Sequence, residues 1–112
     1  MSPGESGVYK EHARFQLEAT KLGRTLVFQV TVFEKRDRRG VRLFAETQCS
    51  DPYNFLIQFI IRDASSFEDV LQRFIEQLRW RGYTPLQYRV RQRVGQQGYQ
   101  RWGQWVPIPE VA

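Results

Sequence analysis

One cysteine, one histidine, one methionine and only three lysines stand in this 112-residue chain, and each scarcity removes a class of explanation. Cys49 alone excludes an internal disulfide and a multi-cysteine metal site. His12 alone leaves nucleophilic catalysis without its usual base unless the fold brings it to Cys49, and a lone pair of this kind is far more often incidental. Cys49 is expected to be a small buried filler. No Gly-rich phosphate loop, HExxH, paired CxxC or EF-hand pattern occurs, so neither cofactor nor metal is expected, and a non-enzyme is. The longest apolar run, residues 55 to 61 (FLIQFII), is far short of the ~18 residues of a membrane span. The first residues, MSPGESGVY, lack the basic and apolar stretches of a signal peptide. A cytoplasmic protein without membrane attachment is the expectation.

What is present is arginine and aromatic rings. Lys plus Arg number 17 against 12 Asp plus Glu, a net charge of +5, and aromatic residues make up 14%. Arginine binds phosphate and carboxylate through a planar fork and stacks on rings, so the excess suits an interface with a polyanion.

Periodicity organises the chain into one α+β domain over residues 8 to 106, with a flexible tail at 1 to 7 and an extended tail, PIPEVA, at 107 to 112. Ala13, Phe15, Leu17 and Ala19 alternate with His12, Arg14, Gln16 and Glu18, the pattern of a half-buried strand. After a turn at KLGR, Leu26, Phe28, Val30 and Val32 alternate with Gln29, Thr31, Phe33 and Lys35. The segment KRDRRG at 35 to 40 reads as a loop, and a third strand follows from Val41 to Thr47. A turn at SDPY then leads to the run Phe55 to Ile61, which predicts a central strand covered on both faces.

Phe67, Val70, Leu71, Phe74, Ile75 and Leu78 make one apolar stripe at helical spacing. Ser65 with Glu68 matches a capping box, and Gly82 followed by Pro85 ends a helix running from about Ser66 to Arg81. Leu86, Tyr88 and Val90 begin a fifth strand, and GQQG at 95 to 98 turns the chain into a sixth over Tyr99 to Val106. The expected fold is an antiparallel sheet of four to six strands packed on one helix, in the order ββββα and then a strand or hairpin. One helix covers one face of such a sheet, and the other face is where function is expected. At the level of topology this order resembles that of Whirly proteins and Pur repeats, whose curved sheets present bases to an open side. No signature residue is carried over from them.

Three features point to that face. Lys35, Arg36, Arg38 and Arg39 concentrate charge at one end of the sheet, opposed only by Asp37, although a charge run at a hairpin tip is usually just solvated. Arg89, Arg91 and Arg93 place three guanidinium groups on one strand face, where like charges repel unless an anion lies across them or Glu18 or Glu46 neutralises them. Phe33 and Phe44 fall opposite the expected core, and Tyr99, Trp102 and Trp105 interleave with Gln100, Arg101 and Gln104. Arginine on phosphate with exposed rings on bases is how single strands are held. The leading expectation is therefore single-stranded RNA or DNA bound by these arginines with Lys35, Phe33, Phe44, Trp102 and Trp105. The structural alternative is that the C-terminal rings fold back into a second small core. The functional alternative is a protein-interaction or assembly subunit, a homodimer included, that covers the open face and the Trp-rich segment. Trp80, near the solvent pole of the helix, is expected to pack under the C-terminal tail.

Overall fold

The structure is a computed structural model that describes residues 9–50, 56–95 and 98–110, with the side chains of Tyr9, 48–50 and 56–58 outside that description. The tail at 1 to 7, most of the SDPY turn, Phe55, the centre of GQQG, the end of PIPEVA and the Cys49 side chain therefore lie outside the described residues.

Four strands form an antiparallel meander: β1 (Tyr9–Lys21), β2 (Arg24–Asp37), β3 (Gly40–Ser50) and β4 (Leu56–Ala64). Helix α1 (Phe67–Trp80) follows, and β5 (Thr84–Val94) returns to pair with β1. Two short pieces, β6 (Gly98–Tyr99) and β7 (Val106–Pro107), both pair with β5. The sheet runs β4-β3-β2-β1-β5-β6, with the single helix on one face, the expected α+β architecture. No helix among the described residues is long and apolar enough to cross a membrane.

The β1–β2 connection is the two residues Leu22 and Gly23, at φ 53° and 76°. Two successive positive φ values give the tight turn whose twist matches that of the flanking strands. Strand β2 continues to Asp37, so the expected loop at 35 to 40 shrinks to Arg38 and Arg39, with the Arg39 amide donating to the Asp37 carboxylate at 2.8 Å. Lys35 and Arg36 are thus strand residues, paired with Arg42 and Val41.

Alternation explains the core. Phe15, Leu17, Phe28, Val30, Val32, Leu43, Ala45, Phe59 and Ile61 turn to the helix side and are buried against Val70, Leu71, Phe74, Ile75 and Leu78. Phe74 meets Phe15, Phe28 and Phe59 edge-on, with centroids 5.1 to 5.8 Å apart, the favoured geometry for ring quadrupoles. Thr47, a buried polar side chain of this layer, donates its hydroxyl to the Gln29 carbonyl.

Helix α1 is capped one residue later than the spacing predicts. Ser66 is the N-cap and accepts from the Asp69 amide at 3.1 Å, while the Asp69 carboxylate accepts from the Ser65 amide at 3.0 Å. The reciprocal logic is that of a capping box, with Asp69 in place of Glu68. Gly82, at φ 89°, ends the helix as expected. Strand β4 lies at the end of the sheet rather than at its centre, and Ile60 is 47% exposed on the side away from the helix. Its apolar run reflects the helix above it and an uncovered flank, not burial on two sides.

Candidate binding face and an arginine–aromatic ladder

The face away from α1 divides into two halves. On the β1–β5 half, Arg89, Arg91 and Arg93 project in a row, as their two-residue spacing requires. Segment 98–108 lies alongside the outer edge of β5. The amides of Gln100, Gly103 and Ile108 donate at 2.9 Å to the carbonyls of Gln92, Val90 and Leu86, and Val106 pairs with Tyr88. Positions 100, 103 and 106 thus meet 92, 90 and 88, three residues against two. Each step inserts one extra residue, as a β-bulge does. This is why the expected continuous sixth strand appears as two short pieces, and why rings spaced by three fall in register with arginines spaced by two. Gly103 lets the two backbones approach closely there: a Cβ would lie 3.3 Å from the Val90 carbonyl oxygen, a tight contact.

The result is a ladder. Tyr99 stacks on Arg14, Arg91 and Arg93, with the guanidinium carbon 4.6, 4.8 and 5.7 Å from the ring centre. Trp102 lies against Arg91 at 5.2 Å and Arg89 at 5.0 Å, and Trp105 against Arg89 at 4.7 Å. All three rings are half-buried. The arginines have further partners: Arg89 donates to the Gln16 side chain at 2.6 Å and Arg93 to Glu11 at 3.1 Å. Arg14 and Arg91 are direct cross-strand partners, a like-charge pair that the shared Tyr99 ring makes tolerable. Glu11 is the anion at this end. It accepts from Tyr99, Arg14 and Arg93, and these bonds, the Tyr99 hydroxyl first, hold its carboxyl below the usual range. Burial, and then the bond to Glu11, pushes the Tyr99 hydroxyl up.

Glu11 reaches this face through a bulge at His12, where the β1–β2 register slips. Strict alternation would have put it on the core side with Ala13, which is why the sequence patterning missed it. Glu18 accepts from the Gln87 side chain at 3.1 Å and does not neutralise the arginine row, and Glu46, on β3, has two strands between it and β5. The C-terminal rings therefore fold back onto the chain, as the structural alternative had them, but lie half-buried against its arginines and not in a second core. Arg101, on the same segment, is exposed.

The β2–β3–β4 half is different. Phe33 and Phe44 are cross-strand partners, and they line an open, mainly apolar groove of about 340 Å³ with Glu46, Ile60 and Arg62. The next pair on this face is Lys35 and Arg42, and beyond it stand the exposed Arg38 and Arg39 of the hairpin tip, while Arg36, paired with Val41, is exposed on the other face. Arg42, Ile60 and Arg62 were not singled out by sequence patterning, because nothing in their spacing says that β4 flanks β3 on this side. The expected site residues are thus divided: Phe33 and Phe44 line the groove, Lys35 follows them on the same face, Arg38 and Arg39 lie at the hairpin tip beyond it, Arg36 alternates to the other face, and Arg89, Arg91, Arg93, Trp102 and Trp105 are taken up by the ladder.

Trp80 does not pack under the C-terminal tail. It is 87% exposed beside Glu76, Gln77 and Arg81, while the tail is held elsewhere, by Arg79 donating to the Pro109 carbonyl at 3.0 Å and by Ile108 against the core. No family model, curated protein or solved structure matches the chain.

Proposed function

We propose that the chain is a non-catalytic module that binds single-stranded RNA or DNA on the β2–β3–β4 half of its open face. The observation that carries this reading is the Phe33–Phe44 pair in an apolar groove, rimmed by Arg62 and continued by Lys35, Arg42 and the arginine tip. Two adjacent rings offer π-faces to unstacked bases, and the cations lie where a backbone leaving the groove would run. The ladder's arginines take no direct part; they fix the C-terminal segment.

The test is fluorescence anisotropy of labelled single-stranded DNA, single-stranded RNA and duplex at low and physiological salt. Binding should favour single strands and weaken steeply with salt, as counterions released from phosphates dictate. Phe44→Ala should cost roughly 5- to 100-fold in affinity, the equivalent of ~1 to 3 kcal/mol for a stacked base. Arg42→Ala should lower the salt slope by about one. Absence of binding at low salt, where a +5 chain has every advantage, overturns the reading. Trp80 favours a second reading, a protein-interaction subunit, because a ring this exposed is a typical interface anchor. In that case Trp80→Ala removes a protein contact and leaves the anisotropy titration unchanged.

A further inference from the structure

Strand β3 carries a charge pattern that phosphate binding alone does not account for. Its side chains on the open face follow in the order Arg42, Phe44, Glu46, each about 6.6 Å from the next, so the ring stands between a cation and an anion. Glu46 is exposed and pairs across the sheet with Thr31 on one side and Ile60 on the other, neither of which carries a charge. Among the described residues no hydrogen bond or ion pair takes its carboxylate. Arg62 lines the same groove from β4. A carboxylate in this place repels phosphate, so a surface that only attracted a polyanion would be weakened by it.

We infer that the groove, on the reading that it takes single-stranded nucleic acid, selects guanine at the Phe44 ring, with Glu46 as the residue that specifies the base. The occupant follows from hydrogen-bond pattern. An ionised carboxylate only accepts. Guanine alone among the common bases has two adjacent N–H donors on its Watson–Crick edge, N1–H and the N2 amine, which match the two oxygens of one carboxylate. Adenine and cytosine each put a bare ring nitrogen beside the amine, and uracil and thymine set one N–H between two carbonyl oxygens, so all of these bring lone pairs against Glu46. The direction agrees with the charges. The sugar is attached at N9, across the ring system from N1, so a guanine lying on Phe44 with N1 and N2 toward Glu46 points its sugar and phosphate toward Lys35 and Arg42. Of the two faces that guanine can lay on the ring, one turns O6 and N7 toward Arg62, whose guanidinium donates to both; adenine would present an amine in place of O6. The juxtaposition that carries the inference is a carboxylate one side-chain repeat from the stacking ring, on the side away from Lys35 and Arg42.

The test is anisotropy competition with oligothymidine and oligouridine strands in which one central base is replaced by guanine, hypoxanthine, adenine or cytosine. Guanine should tighten binding by about 5- to 150-fold over adenine or cytosine, the span of one bidentate base contact, and hypoxanthine, which keeps N1–H and lacks the N2 amine, should fall between. Glu46→Gln should level the strands, because an amide sets one acceptor and one donor where guanine needs two acceptors, while unsubstituted oligothymidine binds as well as before or better. The exposed position keeps this substitution away from the core. Equal binding of all strands by the unaltered chain overturns the inference and leaves the nucleic-acid reading standing, whereas no binding of any strand at low salt overturns both. A guanine preference that Glu46→Gln leaves intact also overturns it, since the carboxylate would then act only by repelling every strand alike.

Discussion

Replacing Trp102 by alanine removes the ring that Arg89 and Arg91 share, and the structure sets the size of the loss. Two cation–π contacts at partly exposed sites are together worth ~1 to 2 kcal/mol. A tryptophan that is half-buried hides on the order of 100 Å² of apolar surface, or ~2.5 kcal/mol at 25 cal/mol per Å², an upper figure because unfolded chains already bury some of it. The expected cost is ~3 kcal/mol, a large share of the ~5 to 15 kcal/mol that stabilises a domain. Urea denaturation followed by far-ultraviolet circular dichroism measures it, as a lowered midpoint at unchanged slope. A double-mutant cycle with Arg91→Met should return a coupling of ~1 kcal/mol, separating the cation–π part from the lost area. A cost below ~0.5 kcal/mol, the range of an ordinary surface substitution, would refute the view that the ladder fastens the C-terminal segment.

Two further outcomes follow from the same geometry. The Glu11 carboxyl is held low in the folded state, so its contribution is present above the unfolded pKa of about 4.3 and is lost as pH falls through the lower folded value. Glu11→Gln should therefore reduce stability at pH 7 and flatten its decline below pH ~4, as read by urea unfolding at several pH values. Parallel curves for the two proteins would contradict the assignment. Leu22 is 84% exposed and sits at φ 53°, a conformation that asparagine adopts more readily. Leu22→Asn should raise stability by ~0.5 to 1 kcal/mol in the same assay.

What could be read from the residues followed the range over which each signal acts. The β1–β2 hairpin, the α1 stripe and the Gly82 stop depend on neighbours within a few positions, and they stand where the spacing puts them. The place of β4 does not. A run such as LIQFII looks the same in a strand covered on both sides and in an edge strand under a helix, because alternation carries no information about strand order. The arginine row was legible for the same local reason, as i, i+2 spacing. Its partners were not, since rings spaced by three suit no regular strand and meet the row only through the bulges around Gly103. Glu11 escaped because a single inserted residue, His12, reverses which face a strand position occupies. The capping residue slipped by one because Ser65 and Ser66 are adjacent and Glu68 and Asp69 are too, leaving two boxes that composition alone does not separate.

The order in which the strands become available during synthesis differs from their order in the sheet. The meander β1 to β4 closes through short connections as each strand leaves the ribosome, but β1 pairs on its other side with β5, Ala13 meeting Gln92 and Phe15 meeting Val90. Until residues 84 to 94 are made, the backbone of β1 from Ala13 to Thr20 stands as a raw edge of a four-stranded sheet. A ribosome that stalls after α1 would hold a nascent chain with two sticky margins, β1 and β4, and that is the stage at which a chaperone has most to protect.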